Sequence, residues 1–151
     1  MFAQIQQHSM KMDEWLHTRL WDSGFPDVNE KLSLNCSMEA EELPVLYSYI
    51  DAENWTLFTT RRVFHSYEGK ADFVFVAEIF KETQSRNFKG YGGQRVDFIQ
   101  LETEEKVLHI CPFETGYASM GTLYALSSLQ RVLGSDTIYR IWARRFAGRD
   151  V

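Results

Sequence analysis

The N-terminal part of the chain carries an apolar stripe at helical spacing, with Gln, Lys, Asp and Glu between its members. This spacing predicts an amphipathic helix over residues 2–20. The stripe consists of Ile5, Met12, Trp15, Leu16 and Leu20. Residues 22–37 are rich in Asp, Asn and Ser and predict irregular structure. The acidic run 38–43 predicts a helical turn, because carboxylates suit a helix start, and Pro44 ends that turn.

From residue 45 the apolar positions form short runs rich in aromatic and β-branched residues, which is typical of an antiparallel sheet. The predicted strands are 45–50, 55–60, 62–67, 73–80, 95–101 and 107–111, with the polar stretch 81–88 as an additional edge strand. The run 73–80 is apolar on both faces except at Glu78, which predicts a central strand buried on both sides. Pro112 then ends the sheet. The pattern therefore predicts six strands, or seven with 81–88.

The last strongly patterned segment, residues 117–133, predicts a helix with two stripes. One stripe is broad and apolar, and the other consists of the small residues Ala118, Gly121, Ala125 and Ser128. A seam of small residues lets a helix lie close to a sheet, because no long side chain separates the backbones. Gly134 is a typical C-terminal cap. Residues 137–146 alternate apolar and basic positions and fit a helix and a strand equally well.

Composition places the chain among ordinary folded proteins. Its 151 residues suit one domain, and its hydrophobic share of 44% and aromatic share of 15% exclude a disordered chain. Two cysteines make neither a disulfide framework nor a zinc site. No stretch approaches the roughly 20 apolar residues that cross a bilayer, and the N-terminus lacks the apolar core of a signal peptide. We therefore expect a cytoplasmic, soluble protein.

The net charge of −5 is unevenly distributed along the chain. Residues 1–60 carry ten acidic and three basic side chains, whereas residues 61–151 carry eleven and thirteen. An acidic chain repels a phosphate backbone on average, so a nucleic-acid partner is disfavoured, and the charge does not favour peripheral membrane contact either. The most basic stretch lies in the tail and contains Arg140, Arg144, Arg145 and Arg149.

The order of elements, an antiparallel meander followed by one amphipathic helix, resembles the pleckstrin-homology (PH) superfold. The segment Trp55–Phe64 (WTLFTTRRVF) is similar to the part of bacterial PH-like domains where a strand ends in a Thr-x-x-Arg turn. Thr59 or Thr60 and Arg62 would take those positions. The resemblance covers about residues 45–133 and implies a mainly β (α+β) fold: a curved antiparallel sheet or partly open barrel, capped by the C-terminal helix. A two-layer α+β fold with one helix on a flat sheet fits nearly as well.

On this basis the whole chain, 1–151, is predicted to be a single domain. Residues 1–38 form an N-terminal helical extension, residues 45–133 form the PH-like core, and residues 134–151 form a C-terminal extension. Either extension is suited to cover a sheet edge, which would otherwise be a template for aggregation.

Candidate catalytic chemistry is sparse. His109 and Cys111 lie two apart on a predicted strand, so their side chains face the same way, and His65 precedes them. Such residues can bind zinc or form a Cys–His nucleophile pair, but a structural zinc needs four ligands and a free Cys is typically a small core residue. No Gly-x-Ser-x-Gly elbow occurs. We therefore predict no enzymatic activity and no cofactor.

Candidate ligand-binding residues cluster around the glycine-rich loop and one arginine pair. Backbone amides of such a loop can hold an anion, although three glycines also serve a tight connection. The position of basic residues in lipid-binding PH domains implies a contribution from the arginine pair, whereas a cross-sheet ion pair of Arg62 with Glu78 is the competing interpretation. The predicted set is Arg61, Arg62, Lys89, Gly90, Gly92, Gly93 and Arg95.

The function predicted from these observations is a non-catalytic interaction module that binds a protein or peptide, or that self-associates. An extended peptide can add to an open strand edge or lie in a groove beside the helix. The alternative is a binder of small molecules, anions or phospholipid head groups that uses the loop 90–93 and its basic neighbours.

Overall fold

The computed structural model describes residues 11–84, 87, 90, 93 and 95–133. They form eight strands, two α-helices and three short 3₁₀ turns. The strands are β1 (Thr18–Leu20), β2 (Pro44–Tyr49), β3 (Trp55–Thr59), β4 (Arg62–Tyr67), β5 (Lys70–Phe75), β6 (Ile79–Thr83), β7 (Val96–Thr103) and β8 (Leu108–Glu114). The helices are α1 (Pro26–Asn35) and α2 (Tyr117–Leu133), and the 3₁₀ turns are Met12–Glu14, Trp21–Ser23 and Val76–Glu78.

The strands form two antiparallel sheets, one of β1 to β5 in chain order and one of β6 to β8. Strand β8 packs across β3 and β4, so the sheets face each other over a shared apolar core. Helix α2 closes this core by packing on β2, on β8 and on the turn Val76–Glu78. The predicted mainly β fold with a C-terminal helix is confirmed. Across the described residues the sheets do not close into a barrel.

The predicted N-terminal helix is wrong for residues 11–20, and residues 2–10 lie outside the described part. A 3₁₀ turn is followed by β1, which pairs with β2 in the register Thr18↔Ser48. Burial alternates along β1, and Leu16 of the supposed helix stripe is 49% exposed. The carboxylate of Glu114 accepts the backbone N–H groups of Leu16 and His17 at 2.7–3.1 Å, and these bonds favour the extended path.

The stretch 22–37, predicted to be irregular, contains α1 instead. Pro26 occupies the first turn, where its missing N–H costs nothing, and Asp27 complements the helix dipole there. Only Leu32 of α1 is buried, so the helix has a narrow apolar stripe that gives little periodic signal. The predicted helical turn 38–43 is present only as one hydrogen-bonded turn without a helix, in which the N–H of Glu42 donates to the carbonyl of Glu39 at 3.1 Å.

The apolar run 73–80 is not one central strand. It is divided among the end of β5, the turn Val76–Glu78 and the start of β6, and it carries the chain from the first sheet to the second. Val74, Val76 and Ile79 are buried in the core that both sheets share, which explains the apolar character of these positions in the run. Strands β5 and β6 are both edge strands, so the predicted edge position of residues 81–83 is confirmed.

Pro112 does not end the sheet as predicted, because β8 continues to Glu114 and pairs Pro112 with Phe98. Strand β8 is an edge strand, where a residue without an N–H is tolerated. The carbonyl of Pro112 accepts the hydroxyl of Thr56 at 2.6 Å and so links the two sheets. Neither described helix has the length and apolarity that crossing a membrane requires.

The small-residue seam of α2 lies against the core, as the sequence predicts. Ala118, Gly121 and Ala125 are buried, and Gly121 faces the indole of Trp15 and the side chain of Leu46. A Cβ on Gly121 would stand 2.7 Å from Cη2 of Trp15 and 3.3 Å from Cδ1 of Leu46. The predicted cap Gly134 and the stretch 137–146 lie outside the described residues.

Replacing Gly121 by Ala is expected to lower the free energy of unfolding by about 1–2 kcal/mol. Overpacking a core costs about 1–3 kcal/mol, and alanine returns at most about 1 kcal/mol of helix propensity. Urea unfolding followed by fluorescence measures the change, with Ser127→Ala on the exposed side of α2 as a control expected to stay within about 0.5 kcal/mol. A gain in stability for Gly121→Ala would show that Trp15 does not constrain this position.

Candidate binding site

The outer face of the five-stranded sheet is the face that α1 covers. Leu32 and Cys36 pack there against side chains of β2, β3 and β4, namely Tyr47, Trp55, Leu57 and Phe64. Strand β5 has no residue in this cluster: Lys70, Ala71 and Asp72 are exposed, and Phe73 is 39% exposed. The outer face of the sheet is therefore open at β5.

The hairpin between β4 and β5 determines which backbone groups face the open edge. Its two-residue turn has positive φ at Glu68 (51°) and Gly69 (79°), and the flanking pair is Tyr67↔Lys70. Both central residues of a type I′ turn have positive φ, and the pair flanking such a turn exchanges two hydrogen bonds. Because bonded and non-bonded pairs alternate along an antiparallel ladder, the N–H groups of Ala71 and Phe73 point away from β4.

The amide of Phe73 agrees with this geometry. It donates to Oδ1 of the neighbouring Asp72 at 2.8 Å. No strand in the described ranges pairs with the outer edge of β5. The edge thus offers a row of main-chain donors and acceptors, and the donor of Phe73 is occupied only by the adjacent carboxylate.

A cleft of about 290 Å³ adjoins this edge on the outer face. We call it the Arg62 cleft. It lies between the end of α1 and strand β5, and three aromatic side chains contribute to its walls. Its lining residues are Asn35, Ser37, Trp55, Arg62, Phe64, Ala71, Asp72 and Phe73.

Arg62 is held in the cleft by a buried ion pair with Glu42. The side chain of Glu42 is fully buried and that of Arg62 is 8% exposed, and Nη2 of Arg62 lies 2.5 Å from Oε2 of Glu42. Nε of Arg62 donates to Oε1 of Glu42 at 3.0 Å, and Nη2 also donates to the carbonyl of Ser37 at 2.9 Å. The hydroxyl of Thr59 donates to Oε1 of Glu42 as well.

The charges of this pair favour each other's ionised form. Burial opposes ionisation of Glu42, but hydrogen bonds from Arg62 and Thr59 outweigh it, so the pKa of Glu42 is lowered. The hydrogen bond to Glu42 raises the pKa of Arg62 despite its burial. The guanidinium also lies 4.5 Å from the ring centroid of Phe64 and 4.7 Å from that of Phe73. These rings hold its plane in place.

Of the predicted arginine pair, only Arg62 belongs to the cleft. Its partner is Glu42 rather than Glu78, so the predicted cross-sheet pair is wrong. Arg61 is about half exposed and forms ion pairs with Glu39 and Glu41 on the connection before β2. Surface pairs of this kind contribute little to stability.

The predicted glycine loop is described only in part, since Lys89 and Gly92 lie outside the described residues. Gly90 and Gly93 both have positive φ, and a Cβ on Gly90 would stand 3.3 Å from the amide nitrogen of Gly116. Arg95 lines a separate cavity that Glu14 and Glu114 also line. Arg95 and Arg62 therefore line different cavities.

The two histidine candidates link the sheets through a hydrogen bond, and the cysteine candidate lies in the core. Nε2 of His65 and Nδ1 of His109 share a hydrogen bond of 2.9 Å, and Oδ2 of Asp72 lies 3.9 Å from the same Nδ1. Burial lowers the pKa of His65 to about 4, and the neighbouring His109 adds to this effect. Cys111 packs in the apolar core, where burial raises the pKa of its thiol. Within the described ranges, no group of three or more His, Cys, Asp or Glu side chains could hold a metal ion.

No protein-family model, no curated protein and no solved structure matches the chain. The resemblance to PH-like domains accordingly stays a prediction. What is known of the site comes from its own geometry.

Three residues that shape this site are not among the predicted site residues. Glu42 lies in the run predicted to be a helical turn, Asp72 lies between two predicted strands, and Phe73 lies in the run predicted to be a buried central strand. A signal for the site was present in the alternation of Arg62 and Phe64, which puts a guanidinium beside an aromatic ring on one face of a strand.

Proposed function

We propose that the chain is a non-catalytic interaction module that binds an extended segment of a partner protein by strand addition to β5. The observation that carries this proposal is the open edge of β5, whose outward amides at Ala71 and Phe73 have no strand partner among the described residues. In strand addition, main-chain hydrogen bonds supply affinity and adjacent pockets select side chains. The Arg62 cleft lies where such a pocket is needed.

Asp72 favours a different protein over a second copy of the chain as the occupant. Its carboxylate is largely exposed and accepts the outward amide of Phe73. Two copies pairing through β5 would bring their Asp72 carboxylates to the same seam, and like charges across a strand pair are destabilising. Charged side chains on edge strands commonly prevent such self-pairing.

Substitution of Ala71 tests the edge directly. Ala71→Pro removes an N–H that points away from β4, so the ladder within the sheet keeps its hydrogen bonds. Ala71→Thr keeps the N–H and is the matched control. For a peptide selected from a random ten-residue display library against the full chain, we expect Ala71→Pro to weaken binding at least tenfold and Ala71→Thr to change it less than threefold. Fluorescence anisotropy measures both affinities.

Two results would overturn the proposal. One is equal affinity of selected peptides for both variants, which would place binding away from β5. The other is a dimer of the free chain that dissociates in Ala71→Pro, because it would identify a second copy as the occupant. The alternative of an anion site at the loop has no specific support here, since Arg95 shares its cavity with two carboxylates.

A further inference from the structure

We infer that the Arg62 cleft receives a carboxylate from the segment bound at β5. This inference rests on the proposed function and specifies the chemistry of the partner. It follows from the hydrogen-bond donors of one buried side chain, the walls that hold it and the size of the space beside it.

The guanidinium of Arg62 has donors left over after all its contacts within the protein are made. A guanidinium carries five N–H donors. Nε donates to Glu42, and Nη2 donates to Glu42 and to the carbonyl of Ser37. Nη1 has no acceptor among the described residues, and it is not one of the polar atoms sealed from solvent. Because Arg62 is 6% exposed and lines the cleft, we place Nη1 at the cleft surface.

The surroundings fix the direction in which Nη1 can donate. Glu42 binds one edge of the guanidinium through two nitrogens, and the rings of Phe64 and Phe73 lie against it. A guanidinium held in this way is already oriented, so a new acceptor gains a hydrogen bond with little loss of side-chain entropy. Hydrogen bonds between ionised partners are about twice as strong as neutral ones, which favours a carboxylate over an amide.

The one other carboxylate on the lining does not compete for this position. Asp72 follows the strand alternation to the inner face, where its Oδ2 lies 3.9 Å from Nδ1 of His109. The volume of about 290 Å³ suits one side chain or one chain end and is small for a ligand such as a nucleotide.

A small probe tests the cleft without strand addition. We expect 3-phenylpropionate, titrated into the ¹⁵N-labelled full chain, to shift the Nε–H signal of Arg62 and the amide of Phe73. The neutral isostere 3-phenylpropionamide should bind at least tenfold more weakly. Phe73→Ala removes one wall and should weaken the acid at least fivefold, whereas Tyr117→Ala, an exposed aromatic at the start of α2, should not. Equal binding of acid and amide, or acid-induced shifts confined to other residues, would overturn the inference.

The carboxylate of a bound segment can belong to an acidic side chain or to the C-terminus, and peptides distinguish these two sources. For peptides selected on the chain, replacing the acidic side chain by its amide, or amidating the C-terminus, should reduce affinity at least tenfold in one of the two cases. The affected group identifies the source. If peptide binding depends on Ala71 but on neither carboxylate, the inference fails and the proposed function stands. If phenylpropionate binds as expected while no peptide responds to Ala71→Pro, the proposed function fails instead.

Discussion

Replacing Glu42 by Ala is expected to lower the free energy of unfolding by about 3–5 kcal/mol, the usual cost of leaving one member of a buried ion pair alone. Arg62 would lose two hydrogen bonds while its guanidinium stays between aromatic rings with almost no access to solvent. The hydroxyl of Thr59 would also lose its acceptor on Glu42. Urea unfolding at pH 7 measures the loss, and the dependence of the free energy of unfolding on urea concentration is compared between variants.

The matched control is Glu39→Ala, which removes the exposed partner of Arg61. Exposed pairs contribute about 0–1 kcal/mol, so this variant should remain close to the unaltered chain. The double variant Glu42→Leu with Arg62→Met should recover much of the loss, because well-packed apolar residues often replace a buried pair at little cost. If Glu42→Ala alone costs less than about 1 kcal/mol, water reaches the ion pair, and Glu42 and Arg62 do not behave as a buried pair.

Lowering the pH from 7 to 5 is expected to cost about 2 kcal/mol of stability through His65 alone. The imidazole has an ordinary pKa of 6.5 in the unfolded chain and about 4 in the folded one. Between these values the unfolded state binds the proton more tightly, so acid favours unfolding, and the contribution is fully present only above about pH 6.5. Protonated His65 carries an N–H on both ring nitrogens, and its Nδ1 is buried with no hydrogen-bond partner among the described residues.

The groups that face His65 act in opposite directions. His109 on β8 lowers the pKa of His65, Asp72 on β5 raises it, and burial, the largest cause, acts in the same direction as His109. His65→Leu should therefore lose most of the stability difference between pH 7 and pH 5, while His17→Gln, which lies outside the histidine pair, should retain it. Glu42 contributes at lower pH, because its stabilising effect is lost only as the pH falls below 4.5. An unchanged pH dependence in His65→Leu would assign the acid sensitivity to other groups.

The sequence predicted correctly those elements in which apolar residues recur at a regular helix or strand spacing. Strand 62–67 and helix 117–133 agree with β4 and α2 at both ends. A glycine-containing turn follows the strand, and the helix carries the small-residue seam along its length. Local pattern and final packing agree in these segments, so no distant partner was needed to assign them.

The errors arise where a distant partner decides the structure. Residues 11–20 have helical spacing, yet Glu114 accepts two of their amides, and nothing in the local sequence indicates this. The run 73–80 is mostly apolar and passes from one sheet to the other. A pattern of apolar residues alone does not distinguish such a crossing from a single buried strand. Glu42 and Arg62 are separated by 20 residues, and only the folded connection before β2 brings them together. The candidate site depends on that pair, so its residues could not be predicted together from the sequence.

The contact between Glu114 and the N-terminal segment also constrains the order in which the chain matures on the ribosome. Leu16 and His17 emerge almost a hundred residues before their acceptor, since the contacts span 98 and 97 positions. Trp15 likewise packs against Gly121, which is synthesised more than a hundred residues later. Contacts between residues far apart in the sequence form slowly, because closing the long loop between them costs entropy. The N-terminal segment therefore cannot complete its contacts until β8 and α2 have been synthesised, although β1 has its partner strand β2 much earlier.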